Sequence, residues 1–264
     1  MACFKLKFTP IWYLLLCAGL VQAEGIIDVK PYVGANITYD DNVFRFSSPT
    51  LARQAFGSSA TSDTIKRLDV GVDANLRLSR QLLRLSTSLS ESRYNRFDLL
   101  DNTAKSYALA WDWRLGNQFF GTLSTNKNES IAGFAEIRNP VRNLRTVERQ
   151  AASVNWRFHP DWTAYASRNQ LKTENELEGF RSLDRDDVIT ETGLRYSNLL
   201  GTQLGLSYRN VDSEYPNRTG FSAALFGDES VQNVLALDLA WLPSAKTRIS
   251  TRLSRVEIDY EDSP

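Results

Sequence analysis

The sequence predicts an all-β protein, an antiparallel up-and-down transmembrane β-barrel, and three observations support this fold class. Apolar and polar residues alternate with a period of two along most of the chain. The alternating segments are often roughly ten residues or longer, whereas strands of soluble proteins usually have about five or six. Short turns and long polar loops alternate between the segments, as in barrels with tight periplasmic turns and longer external loops.

The alternation defines the strands in chain order. It is clear in segments 27–39, 67–78, 83–90, 106–114, 152–158, 203–209, 232–241 and 248–253. It is weaker near 119–127, 162–171 and 188–196. We therefore expect about eleven strands, each with one apolar and one polar side.

The connections fall into two classes. Short turns are expected at 79–81, 115–118, 159–161, 198–201 and 243–246, and long loops at 40–63, 95–103, 128–143, 174–186 and 211–230. Aromatic residues flank the short turns, namely Trp113, Phe119, Phe158, Trp162 and Trp241. Amphipathic rings prefer the level of the lipid headgroups, so these residues predict a girdle at one membrane interface.

Residues 1–23 have the pattern of a secretory signal peptide. Lys5 and Lys7 precede an apolar run, and Val21-Gln22-Ala23 matches a cleavage site, so cleavage is expected after Ala23. Both cysteines lie in this segment, so residues 24–264 carry no thiol. We expect residues 24–264 to form the barrel, located in the cell outer membrane.

The end of the chain departs from the usual barrel pattern. Bacterial barrels have an even number of strands, whereas the eleventh strand here is followed by Ser263-Pro264. This predicts that the barrel is incomplete at its C-terminus, unless one weak strand has been miscounted.

Composition excludes several function classes. Lys plus Arg and Asp plus Glu both total 31, and nucleic-acid binding needs a basic excess, so no nucleic-acid partner is expected. A mean hydropathy of −0.35 excludes a bundle of transmembrane helices. The one histidine, His159, lies in a short turn, and no nucleophile–base pair is placed. We expect no enzyme activity, no cofactor and no metal site.

The polar side of the strands has a basic excess. It collects Lys30, Arg67, Arg77, Arg84, Arg114, Arg149, Arg157, Arg195, Arg209, Arg248 and Arg252, against Asp28, Asp69, Asp73, Asp112, Glu191 and Asp238. Charged rings in a pore select ions by sign, so the arginines are candidate lumen-lining residues for an anionic solute. The alternative is that arginines and acids pair across strands and merely fill the interior.

Three short motifs carry a family resemblance. They are Tyr39-Asp40-Asp41-Asn42-Val43-Phe44-Arg45, then Arg93-Tyr94-Asn95-Arg96-Phe97 with Leu100-Asp101-Asn102, and Tyr215-Pro216-Asn217-Arg218. With the signal peptide and strand pattern, the chain resembles the EpsL-type outer-membrane proteins of exosortase-linked exopolysaccharide operons, a group of β-barrel porins. The resemblance implies a role in moving exopolysaccharide across the outer membrane, and it provides no catalytic residues to transfer to this chain.

We therefore expect an outer-membrane channel, or a channel component, for exopolysaccharide export. Its expected partners are a polysaccharide, in particular an anionic one, outer-membrane lipid and proteins of an export machinery; the oligomeric state stays open. One alternative is a non-conducting structural or docking barrel of an export assembly. The other is a secreted soluble β-sheet protein that binds glycans.

Overall fold

A computed structural model of the chain describes residues 25–57, 59–134, 141–220, 227–244 and 246–261. The strands are β1 (Gly25–Asp40), β2 (Asp63–Leu78), β3 (Gln81–Tyr94), β4 (Asn102–Leu115), β5 (Phe119–Ile131), β6 (Leu144–His159), β7 (Trp162–Asn175), β8 (Arg185–Ser197), β9 (Gln203–Glu214), β10 (Glu229–Ser244) and β11 (Thr247–Glu261). Segment 1–23, for which a signal peptide is predicted, and the final Ser263-Pro264 lie outside the described residues.

The strands form a single sheet in the order β1 to β11, and every neighbouring pair is antiparallel. The eleven-stranded up-and-down arrangement predicted from the sequence is confirmed. Register is continuous over long stretches: β1 pairs with β2 from Gly25 opposite Leu78 to Asp40 opposite Asp63. In the described part of the chain, β1 and β11 each pair with one neighbour.

The two faces of the sheet differ in polarity, and we call them the polar face and the apolar face. In β4, Tyr107, Leu109 and Trp111 lie on the apolar face and are exposed, whereas Ser106 and Asp112 lie on the polar face and are half-buried. On β4 the polar side chains are therefore the less accessible ones. Strand pairing carries each face from β1 to β11, so the predicted alternation matches the sheet.

The long connections contain more structure than the sequence indicated. Between β1 and β2 lies helix α1 (Pro49–Phe56), capped by the Ser48 hydroxyl at its start and by Gly57, in the left-handed region at φ 70°, at its end. Two 3₁₀ turns, Asp98–Leu100 and Glu178–Leu183, lie between β3 and β4 and between β7 and β8. None of the described helices is long and apolar enough to cross a membrane.

The buried apolar core lies among these connections rather than between layers. Phe44 from the β1–β2 connection contacts Phe97 and Phe134 from the next two long connections, with ring centroids 4.8 Å apart in both pairs. Leu100 and Phe44 are almost fully buried, at 0% and 1% exposure. Three connections therefore pack together at one end of the sheet, which we call the loop end; the opposite end is the turn end.

Candidate functional site

Nine arginines were predicted from the sequence as lumen-lining binding residues, and all nine lie on the polar face of the sheet. Strand register brings them to one side: Arg84 lies opposite Ala110 of β4, and Arg209 lies opposite Glu191 of β8. The structure then divides the nine into two groups. One group is engaged in ion pairs, and the other lies at the turn end.

Four of the arginines have carboxylate partners on the polar face. The pairs are Arg67 Nε with Asp69 Oδ1 at 2.8 Å, Arg84 Nη2 with Asp112 Oδ2 at 2.7 Å, Arg209 Nη2 with Glu191 Oε2 at 2.8 Å, and Arg252 Nε with Asp238 Oδ1 at 3.7 Å. For this group, the structure favours the alternative reading, in which arginines and acids pair with each other. These arginines contribute little net charge to the face.

Hydroxyl groups extend the pairs into a network across neighbouring strands. Ser90 on β3 donates to Asp69, and Thr122 Oγ1 on β5 donates to Asp112 Oδ1 at 2.8 Å. Tyr165 on β7 donates its hydroxyl to Glu191 Oε1 at 2.8 Å. Such linked donors and acceptors hold the side chains of the polar face in defined positions.

The other five arginines lie at the turn end, one on each pair of strands joined by a short turn. They are Arg77, Arg114, Arg157, Arg195 and Arg248. All five are exposed, and among the described residues no carboxylate lies within ion-pair distance of any of them. We call them the arginine row.

Aromatic rings on the polar face support three members of the arginine row. The guanidinium groups of Arg114 and Arg157 lie 5.8 and 5.4 Å from the centroid of the Phe120 ring, and that of Arg195 lies 5.0 Å from the Tyr165 ring. These are cation–π distances, which orient a guanidinium without neutralising it. Tyr165 itself lies over Gly193, where a Cβ atom would meet its ring at 2.7 Å.

The motif Tyr39–Arg45 lies at the loop end, away from the arginine row. Asp40 forms an ion pair with Arg45 at 2.7 Å, and Asn42 exchanges hydrogen bonds with the backbone of Phe46. Arg45 adopts φ 57°, and Asp40 raises the pKa of its guanidinium through hydrogen bonds. Phe44 enters the buried cluster, and Asp41 is exposed. The contacts of the motif therefore close a loop.

Sequence reasoning did not find the carboxylates that order the loop end. Asp63 is 4% exposed and accepts from the backbone N–H groups of Arg96 and Phe97 at 3.0 and 2.9 Å. Asp184 accepts from Asn175 N at 2.7 Å and from Asn217 Nδ2 at 2.8 Å. The sequence signal that could have indicated them is an acidic residue at an element boundary: Asp63 is the first residue of β2, and Asp184 directly follows a 3₁₀ turn.

Asp101 is used in a similar way. The Tyr94 backbone N–H donates to its carboxylate at 2.8 Å, and Arg93 pairs with it at 3.1 Å. These contacts hold the pKa of Asp101 below its usual value, the backbone hydrogen bond being the larger cause.

No family model and no curated protein matches this chain. The resemblance to EpsL-type proteins therefore stays a prediction from the three motifs. Among the described residues, no group of three or more His, Cys, Asp or Glu is placed to hold a metal ion. The polar face with its arginine row is the feature on which a function can be argued.

Proposed function

We propose that this chain forms the wall of an outer-membrane β-barrel channel, and that the channel takes part in exporting a polysaccharide. The observation that carries the proposal is the difference in polarity between the two faces of one sheet. In the proposed barrel the exposed apolar face is turned outward and the polar face is turned inward. Such an arrangement suits hydrocarbon outside and water inside.

The apolar face supports a lipid environment. Leu206, Leu237 and Leu253 lie side by side on three neighbouring strands and are 50%, 41% and 64% exposed. Contiguous apolar surface of this kind is rare on soluble monomers, because burying it in an apolar medium is favourable.

The height of the apolar face also fits a membrane. On β2 the outward residues are apolar from Leu68 to Leu78, a distance of roughly 34 Å along the strand. A tilt of about 40° reduces this to roughly 26 Å, close to the band of about 25 Å on transmembrane barrels. Aromatic contacts at its turn end, such as Phe119 with Trp156 and Trp162 with Tyr196, suit a headgroup interface.

The polar face supports a hydrated, hydroxyl-rich solute. Serine, threonine, asparagine and arginine side chains dominate it on β3 and β5 and provide donors and acceptors for sugar hydroxyls. The motif resemblance supports exopolysaccharide as the polymer. Closure of the sheet in the membrane is part of the proposal, since unpaired backbone groups are costly in hydrocarbon.

The proposal is tested with the full chain expressed in a Gram-negative bacterium. We expect recovery in the outer-membrane fraction, a gel mobility that changes on heating, and ion conductance in planar bilayers. Recovery in the soluble periplasm would exclude the membrane barrel and favour the soluble glycan binder. A folded barrel without conductance would favour the docking barrel instead.

A pair of adjacent substitutions sharpens this test. Leu253→Arg places a charge on the apolar face, and Ser254→Arg places the same charge on the polar face of the same strand. In lipid the first change costs about 2–4 kcal/mol and lowers the yield of assembled barrel, whereas the second is tolerated. Equal yields from the two variants would contradict a lipid-facing apolar side.

A further inference from the structure

The position of the arginine row is regular. Arg77 and Arg114 are each one residue from the ends of β2 and β4, and Arg248 is the second residue of β11. Arg157 and Arg195 are two residues from the ends of β6 and β8. Each short-turn hairpin thus contributes one arginine within two residues of a strand end, and neighbouring hairpins are about 10 Å apart at a strand spacing of about 4.8 Å.

The row carries positive charge that the described residues leave uncompensated. Two carboxylates of the polar face close to the row along their strands are engaged within the protein: Asp112 by Arg84 and Thr122, and Asp238 by Arg252. At the loop end the opposite holds, because carboxylates there are numerous and accept hydrogen bonds within the protein. The turn end is therefore the basic end of the polar face.

A cavity adjoins the centre of the row. It has a volume of about 560 Å³ and is lined by Arg80, Asp112, Arg114, Asn117, Phe120 and Asn155, among others. The volume lies in the range of roughly 300–1,000 Å³ typical of small-molecule sites. Arg80 donates to the Gly116 carbonyl and to Asn117, each at 2.7 Å, which joins two neighbouring short turns at the cavity's edge. Arg157 reaches the same place over the Phe120 ring.

The chemistry of the row selects its ligand. Guanidinium groups bind carboxylates through paired, charge-assisted hydrogen bonds, and the amide groups of Asn117 and Asn155 suit sugar hydroxyls. A lipid headgroup is a poor fit, because the row lies on the polar face and lipid would contact the apolar face. Repeated arginines favour a polymer with repeated anionic groups, since each contact raises the effective concentration for the next.

We propose that the arginine row is a binding site for an acidic polysaccharide, which it holds by the carboxylates of successive sugar units at the turn end. This inference rests on the proposed function for the route that the polymer follows, and it adds the chemical class of the polymer and the residues that bind it.

Binding is measured first, because it does not depend on conductance. Polygalacturonate oligomers are titrated into the refolded full-length protein, and Trp113, which also lines the cavity, reports through its fluorescence. We expect binding that tightens with oligomer length and weakens with salt, and no binding of neutral maltooligosaccharides of the same length. Equal binding of neutral and acidic oligomers would overturn the proposal.

Substitutions then test the residues. Arg114→Gln and Arg157→Gln are each expected to weaken binding about fivefold, and Arg114→Lys to lose less. The matched control is Arg168→Gln, which removes an exposed arginine from the apolar face of β7 and is expected to leave binding of the oligomers unchanged. Unchanged binding in both row variants, in protein whose heat-dependent mobility is intact, would overturn the proposal.

Bilayer recording separates this inference from the proposed function. Acidic oligomers are expected to block a conducting channel from the turn-end side at a lower concentration than from the other side, and the row variants to lose that asymmetry. If binding depends on the arginines but the protein does not conduct, the proposed channel is refuted and the proposed binding site is retained. If the protein conducts but neither binding of the oligomers nor their block of the channel depends on the arginines, the proposed channel is retained and the binding site is refuted.

Discussion

The two ends of the sheet differ in whether their charged side chains have partners within the protein. At the loop end, Asp63, Asp101 and Asp184 accept hydrogen bonds from backbone or side-chain groups of the protein itself. At the turn end, Arg114 and Arg248 have no carboxylate within ion-pair distance among the residues described. Charged groups that the fold uses are satisfied by the fold, whereas charged groups at the turn end keep their capacity for a ligand.

The apolar residues at the two ends also differ: those at the loop end are buried within the protein, and those at the turn end stay exposed. At the loop end, Phe44, Phe97 and Leu100 are buried against one another and order the connections. At the turn end, Phe119 and Trp156 stack on the apolar face but stay 40% and 47% exposed. The loop end is therefore the self-contained region, and the turn end is the region built to contact its surroundings. Substitutions at the loop end should change stability, and those at the turn end should change binding.

The largest effect on stability is expected at Phe44. Phe44→Ala removes the ring shared by the contacts with Phe97 and Phe134 and should cost about 3–5 kcal/mol in local stability. Hydrogen exchange of segments 41–46 and 97–100 would report the loss as a fall in protection of about two orders of magnitude or more. Leu99→Ala, at an exposed neighbour of the cluster, is the control. Equal effects of the two changes would mean that the cluster does not hold the connections.

A smaller loss is expected at Asp63. Its carboxylate accepts from Asn95 N, Arg96 N and Phe97 N, so Asp63→Ala leaves several donors without this partner. The cost should be about 3 kcal/mol in local stability, visible as faster exchange of residues 95–97. Asp41→Ala, which changes an exposed side chain nearby, should have almost no effect. Unaltered exchange in the Asp63 variant would show that water replaces the carboxylate.

Features of the fold that depend on residues close together in the sequence could be predicted from the sequence. Period-two alternation is a local property, so strands such as β4 and the face of each arginine followed from the sequence. Neighbours two residues apart on one strand, such as Arg67 and Asp69, were also within reach of that reasoning. The strand number and the up-and-down order followed from the alternation of short and long connections.

The rest depends on contacts between distant parts of the chain. Whether an arginine is paired is decided by register: Arg84 meets Asp112 only because β3 and β4 align as they do. The contact of Phe44 with Phe134 joins loops that several strands separate. Polarity patterns carry no information on such alignments, so the division of the nine arginines into two groups needed the structure.

A weaker, pH-dependent effect is expected at Asp101. Its pKa is held below the ordinary value by the Tyr94 N–H and by Arg93, so its ionised form stabilises the fold. That contribution is present above the pKa of the unfolded chain, about 3.9, and is lost as the pH falls through the lower folded value. The side chain is 25% exposed and solvent screens the interaction in part, so the contribution should stay below about 1 kcal/mol.

The measurement compares wild type with Asp101→Asn in denaturant titrations at pH 7 and at acid pH. The stability difference should be present at pH 7 and should shrink as the pH falls below about 4. The matched control is Asp98→Asn, which removes an exposed carboxylate of the same segment. A difference that grew on acidification would reverse the sign and refute the assignment.

The smallest effect on stability is expected at the arginine row, and this prediction tests the contrast between the two ends most directly. Arg77→Gln and Arg248→Gln remove no ion pair of the described structure, so each should change the free energy of unfolding by less than about 0.5 kcal/mol. Arg209→Gln removes the partner of Glu191, which also accepts from Tyr165, and should cost about 1 kcal/mol. Denaturant titration of the three refolded variants distinguishes the two groups. If the row variants lost as much as the Arg209 variant, the turn-end arginines would be structural, and the basis for a binding site there would be gone.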